Sequence, residues 1–154
     1  MAWVPKNPDF EHLVRDSFSK QEAMATLGAS LALVEPGHVA ITLPYQEALT
    51  QQHGFLHAGI LTAVLDSSCG YAAFSLMPAG AGVLSVEFKV NLLAPAQGDL
   101  LVADGRVLRA GRTITVCQAD GLMRTKDGET RVATMLATMM TVTERPEVTG
   151  QPGR

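Results

Sequence analysis

The sequence predicts a single α+β domain in which one antiparallel sheet wraps around a long central helix. Three observations carry that prediction. Residues 57–77 hold Leu61, Val64, Leu65, Cys69, Ala72, Ala73 and Leu76 at intervals of three and four, the spacing of a buried helical stripe. Leu84, Val86, Phe88, Val90 and Leu92 alternate with Ser85, Glu87, Lys89 and Asn91, the period of a strand. The segments that follow are joined by connections too short for crossover helices. Their strands must therefore run antiparallel, and only the long helix is large enough to cover the apolar face they share.

Taken in chain order, residues 8–27 place Phe10, Leu13, Val14 and Phe18 at helical spacing, with Lys20, Gln21 and Glu22 outward, and predict one amphipathic helix that stops near Gly28. Residues 29–35 and 38–45 flank a Pro36-Gly37 turn. Val39, Ile41 and Leu43 alternate there with Ala40 and Thr42, so the pair reads as a hairpin with one buried face. The loop 46–54 leads to the long helix, which Pro78 ends because proline cannot continue the hydrogen-bond ladder. After strand 84–92, Pro95 and the Gln97-Gly98-Asp99 turn lead to strands at 100–108, 112–123 and 131–142, predicted as a meander turned at Ala110-Gly111 and Lys126-Asp127-Gly128. The expected organisation is an N-terminal helical segment over residues 1–28, a domain over 29–143, and a disordered tail over 144–154 that lacks an apolar pattern.

Composition narrows the function classes. A chain of 154 residues and 16.4 kDa fits one domain. Apolar residues make up 47% and charged ones only 18%, so part of the apolar surface is expected to be covered by another subunit. A net charge of −3, with no basic run, argues against a nucleic-acid partner. Cys69 and Cys117 lie in apolar segments and are expected to be reduced. Residues 1–18 carry Asp9, Glu11 and Asp16 and lack the apolar run of an export signal, so the expected location is cytoplasmic. Residues 60–81 are interrupted by Asp66, Ser67, Ser68, Gly70 and Pro78 and read as a buried helix, so no membrane span is expected.

Chemistry concentrates in two places. Asp66 lies midway along a helix that must be buried, where an unpartnered carboxylate is costly. On a helical wheel it sits about 100° from Leu65, at the border of the core stripe. Gly59, Thr62, Ala63 and Gly70 line its own side, and small residues leave room for another backbone or a ligand. A functional carboxylate is favoured over one that faces solvent or caps the backbone. The second place is the run Gln51-Gln52-His53-Gly54-Phe55-Leu56-His57-Ala58-Gly59, which ends at the helix amino terminus. Free N–H groups there carry about half a positive charge collectively and suit an oxyanion, the transition-state need of acyl transfer. The plain alternative is a loop-to-helix junction with His57 near the cap.

The stretch 51–66, with Ser85-Val86-Glu87-Phe88 and Ala94-Pro95-Ala96, resembles the PaaI-like (phenylacetic-acid-degradation type) hotdog-fold acyl-CoA thioesterases, and the similarity of pattern runs from about Ala29 to Val142. Those proteins carry an Asn or Gln, a Gly three positions on, a His-Gly-Gly three further, and an Asp nine residues after the His. Gln51, Gly54, His57-Ala58-Gly59 and Asp66 keep every spacing, with Ala58 in place of the usual glycine. The resemblance implies a hotdog fold and hydrolysis of acyl-CoA, with Asp66 as general base or nucleophile and the Ala58 N–H polarising the thioester carbonyl. It implies that Gln51 positions water or substrate, that Ser85 assists the aspartate, and that His57 belongs to the same catalytic loop. It also implies a dimer, or a tetramer, in which Gln51 and Ala58 of one subunit face Asp66 and Ser85 of the other.

Gly54 and Gly59 are expected to shape the substrate site. Arg109 and Arg112, flanking a turn, are candidates for the phosphates of CoA, against the alternative of solvated hairpin arginines. No metal or cofactor is expected: His53 and His57 are four apart, but Gly54 stands where a zinc HExxH motif needs glutamate. Two other functions stay open, a non-catalytic acyl-CoA-binding hotdog module and a hotdog dehydratase. The first 28 residues are too few for the DNA-binding head of a ligand-sensing regulator, and Phe55-Leu56-His57-Ala58 lacks the proline of the dehydratase turn.

Overall fold

The structure is a computed structural model, and it describes residues 2–149. Helices α1 (Phe10–Ser19) and α2 (Glu22–Leu27) precede the hairpin β1 (Ser30–Glu35) and β2 (His38–Pro44). A 3-10 turn (Glu47–Leu49) and a loop lead to α3 (Ala58–Phe74), followed by β3 (Gly82–Leu92), β4 (Leu100–Ala110), β5 (Ile114–Thr125), β6 (Gly128–Val142) and a short α4 (Pro146–Thr149). The strands form one antiparallel sheet of order β1-β2-β4-β5-β6-β3, and α3 packs on its inner face against β2 to β6. The α+β architecture predicted from the sequence is therefore present.

The core explains why α3 lies where it does. Leu61, Val64, Leu65 and Cys69 of α3 are buried against Leu101 and Ala103 of β4, Cys117 and Ala119 of β5, and Ala133, Met135, Ala137 and Met139 of β6. Small alanines let the helix approach the sheet, and flexible methionines fill the spaces left over. The approach is closest at Gly105 of β4, where a Cβ would stand 2.5 Å from the carbonyl carbon of Ser68. Only glycine permits that contact. At the far end, Ser75 Oγ donates to Ala72 O (2.7 Å) and accepts from Gly37 N–H (2.8 Å), which ties the helix end to the β1–β2 turn. Regular helix thus stops at Phe74, three residues short of the predicted end, and the chain continues in hydrogen-bonded turns.

Three further differences matter for function. The predicted helix over 8–27 is two helices, broken at Gln21, whose backbone is extended (φ −84°, ψ 94°). Val14 and Met24, both buried, lie on opposite sides of the break, one on each helix. The predicted meander holds only for β4, β5 and β6. Strand β3 pairs with β6 instead, because residues 93–99 cross the end of the sheet, held by Leu93 N–H to Val132 O (2.8 Å) and Asp99 N–H to Arg124 O (2.8 Å).

The third difference is a bulge. Ser85 pairs with Met139 and Glu87 with Thr138, which leaves Val86 as an extra residue. Strict alternation puts Ser85 on the face opposite Phe88 and Val90. The bulge reverses that parity, so Ser85 shares the inner face with Phe88, Val90 and Leu92, whose partners are Ala137, Met135 and Ala133.

As the sheet's last strand, β3 leaves one backbone edge unpaired and Leu84, Val86, Phe88 and Leu92 exposed at 39% to 56%. No described helix is long and apolar enough to cross a membrane. Cys69 and Cys117 are free and buried, and burial pushes both thiols up, Cys117 to about 12. Of the expected 144–154 tail, Pro146–Thr149 forms α4, and residues 150–154 lie outside the described residues.

Candidate active site

The loop before α3 is built by its own hydrogen bonds. Gln51 N–H donates to Phe55 O (2.9 Å) and Gly54 N–H to Gln51 O (3.0 Å), a tight turn that needs the positive φ of Gly54 (84°). Tyr45 Oη donates to Gly54 O (2.8 Å) and Leu56 N–H to Ala96 O (2.9 Å), which fixes the loop to β2 and to the β3–β4 crossing. The Gln51 carboxamide oxygen accepts from His53 N–H, so the Gln51 NH₂ is the end left for a ligand. His57 is the helix N-cap: its Nδ1 accepts from Gly59 N–H at 2.9 Å.

That cap uses the Gly59 donor and leaves the one before it. The Ala58 N–H, at the first position of α3, meets no acceptor among the described residues. Ala58 lines a cavity of about 380 Å³ together with Gln51, Phe55, Leu61, Leu92 and Pro95 among others. A donor at a helix start, beside a carboxamide and in an apolar recess, is suited to a developing oxyanion.

Asp66 opens into a different cavity, of about 190 Å³, together with Ser85, Ser67, Gly70 and Tyr71. Its Oδ1 accepts from Ser85 Oγ at 2.8 Å, a contact made possible by the β3 bulge. Burial pushes the Asp66 carboxyl above the ordinary aspartate range, and the Ser85 hydrogen bond pulls only partly the other way. A half-buried carboxylate held by one hydroxyl has the properties of a general base or a nucleophile.

Within one chain the two halves are apart. Ala58 and Asp66 are separated by about 12 Å along the α3 axis, more than two helical turns. One thioester carbonyl cannot meet both within the roughly 3 Å that proton transfer or oxyanion binding needs.

Arg109 and Arg112 line neither cavity. Arg109 reaches the β3 row of Glu87 only through Val116 and Thr138, three strand spacings or about 14 Å away. Ser17 and Gln21 line the Asp66 cavity although the sequence places Gln21 on an exposed face; the α1–α2 break turns it inward, and nothing in the helical spacing signals that break. Among the described residues no group of three or more His, Cys, Asp or Glu is placed to hold a metal ion.

Residues 53–130 match the thioesterase superfamily. The chain belongs to it. A solved thioesterase family protein from Silicibacter pomeroyi is 52% identical, with a TM-score of 0.86 over 87% of this chain and 98% of that one. The PaaI protein of the E. coli phenylacetic acid degradation operon shares the fold at 18% identity, with a TM-score of 0.78 over 87% of this chain and 94% of its own. Human acyl-coenzyme A thioesterase 13 is 30% identical over 92 residues, 59% of this chain and 65% of the human protein. This thioesterase-superfamily chain has the hotdog fold and is PaaI-like, as its 51–66 motif implies, and the family's chemistry makes it a thioester hydrolase. The matched residues include His57, Ala58, Asp66 and Ser85 and begin after Gln51 and the N-terminal helices.

Proposed function

We propose that the protein hydrolyses acyl-CoA thioesters to a carboxylic acid and free CoA, at a site completed by two copies of the chain. The observation that carries this reading is the separation of the two halves along α3, an oxyanion donor without a carboxylate and a carboxylate without an oxyanion donor. The Ala58 N–H of one subunit holds the carbonyl oxygen, and Asp66 of the other acts on the carbonyl carbon. As a base, Asp66 takes a proton from a water whose oxygen attacks the carbonyl; as a nucleophile, it forms an acyl-aspartate anhydride that water opens. In either route the C–S bond breaks and CoA leaves as the thiolate. Ser85 holds Asp66 in place, and the Gln51 NH₂ steadies the water or the substrate.

The exposed apolar edge strand β3, next to Ser85, suits a two-fold interface in which backbone edges pair. A dimer is the smallest assembly that completes the site, alone or doubled into a tetramer. Arg109 and Arg112 are available to CoA phosphates only from outside the two cavities. The human relative is an acyl-coenzyme A thioesterase, which supports CoA as the thiol, and buried free cysteines suit the cytoplasm.

The test is release of free CoA from acyl-CoA by the purified chain, followed with a thiol reagent and by mass of the products. Equal amounts of CoA and free acid are expected. Tight retention of acyl-CoA without release would favour a binding module, and conversion of a 3-hydroxyacyl-CoA to its enoyl product would favour a dehydratase.

A further inference from the structure

We propose that the N-terminal helices set the acyl-chain length: Ser17 and Gln21, with Tyr71 of α3, form the end wall of the Asp66 cavity and confine substrates to short acyl groups. The inference rests on the hydrolase reading above and adds the substrate class. It starts from the space beside Gly70. A Cβ at Gly70 would meet nothing within 4 Å, although the residue lies inside a regular helix where glycine is less favourable than alanine. The glycine therefore serves no tight packing within the chain, and the space it leaves belongs to the cavity that Asp66, one helical turn or about 6 Å before it, opens into.

The same cavity is lined by the polar groups of Ser17, Gln21, Ser67 and Tyr71. Tyr71 Oη lies 3.4 Å from Ser17 Oγ, and Ser67 Oγ donates to Gln21 Oε1 at 3.5 Å. Both contacts are at the long limit of hydrogen bonding, so these groups still depend on water for full satisfaction. An alkyl chain pushed against them strips that water and returns no hydrogen bond, which is costly. A short acyl group stops before the wall and leaves it hydrated.

The wall is also fixed in place. The Tyr71 ring makes edge contacts with Phe18 (centroids 5.7 Å apart) and Phe74 (6.4 Å), so it is wedged between α1 and its own helix. Gln21 is aimed inward by the extended backbone of the α1–α2 break, and Met24, buried just after it, anchors α2.

The experiment measures kcat/KM for saturated acyl-CoAs from acetyl to dodecanoyl with the full chain, Gln21→Ala and Gly70→Ala. In the parent, kcat/KM should fall beyond the short members. Gln21→Ala opens the wall and should raise the octanoyl-to-acetyl ratio about tenfold or more, in the range that a few methylenes contribute to discrimination. Gly70→Ala removes the helix penalty, so it should melt no lower than the parent, yet its methyl enters the cavity and should lower the same ratio. A parent rate that rises through dodecanoyl, or a ratio unchanged in both variants, overturns the inference while the hydrolase reading stands. No CoA release from any member sinks both.

Discussion

Asp66→Asn is expected to lower kcat about 10²-fold or more, as loss of a general base usually does, with KM near its parent value. Asparagine keeps the size of the side chain and can still accept from Ser85 Oγ, so the cavity stays intact; only the charge and the basicity go. The same substitution changes stability in a defined direction. Burial raises the Asp66 carboxyl in the folded chain above its unfolded value, so folding favours the protonated form. The parent has its full stability below the unfolded aspartate value and loses part of it as pH rises through the raised folded value. Asparagine cannot ionise and escapes that loss. The variant should therefore melt at or above the parent at neutral pH and level with it in acid. Thermal melting across the acid to neutral range checks the stability. The rate profile checks the chemistry: its acid limb should lie above the usual carboxylate range in the parent and be absent from what activity the variant keeps.

Ala58→Pro should lower kcat by about 10²- to 10³-fold, the usual cost of one oxyanion donor, with the fold retained. Proline removes the N–H, and the first position of a helix is where it does least harm, because that N–H has no partner in the helix. Here it has none elsewhere among the described residues, and His57 before it is already in the extended conformation that a following proline requires (φ −61°, ψ 135°). Ala58→Gly keeps the N–H and should keep turnover. Circular dichroism with steady-state CoA release separates loss of the donor from loss of the helix.

The sequence made the long helix and the strands legible because their side chains follow one period for many residues, as Leu61 to Leu76 and Leu100 to Val107 do. The motif from Gln51 to Asp66 was legible for a related reason: its spacing joins one turn to one helix, and local geometry fixes both ends. What stayed hidden depends on contacts between distant segments. The bulge at Val86 replaces strict alternation without a glycine or proline to mark it, and it puts Ser85 on the face where it meets Asp66. The break at Gln21 puts Val14 and Met24 on separate helices, and no glycine or proline marks it. The placement of β3 beside β6 follows from where residues 93–99 find hydrogen-bond partners on the sheet's end.

The shared site is tested most directly by mixing the two inactive variants. Asp66→Asn retains the Ala58 donor, and Ala58→Pro retains the Asp66 carboxylate. After the two are unfolded together and refolded, a two-fold dimer with shared sites has one intact site in each mixed dimer, so about a quarter of the parent's CoA-release rate should return. Each variant refolded alone should stay inactive. A mixture no more active than the mean of its parts would contradict the account and assign the whole site to a single chain.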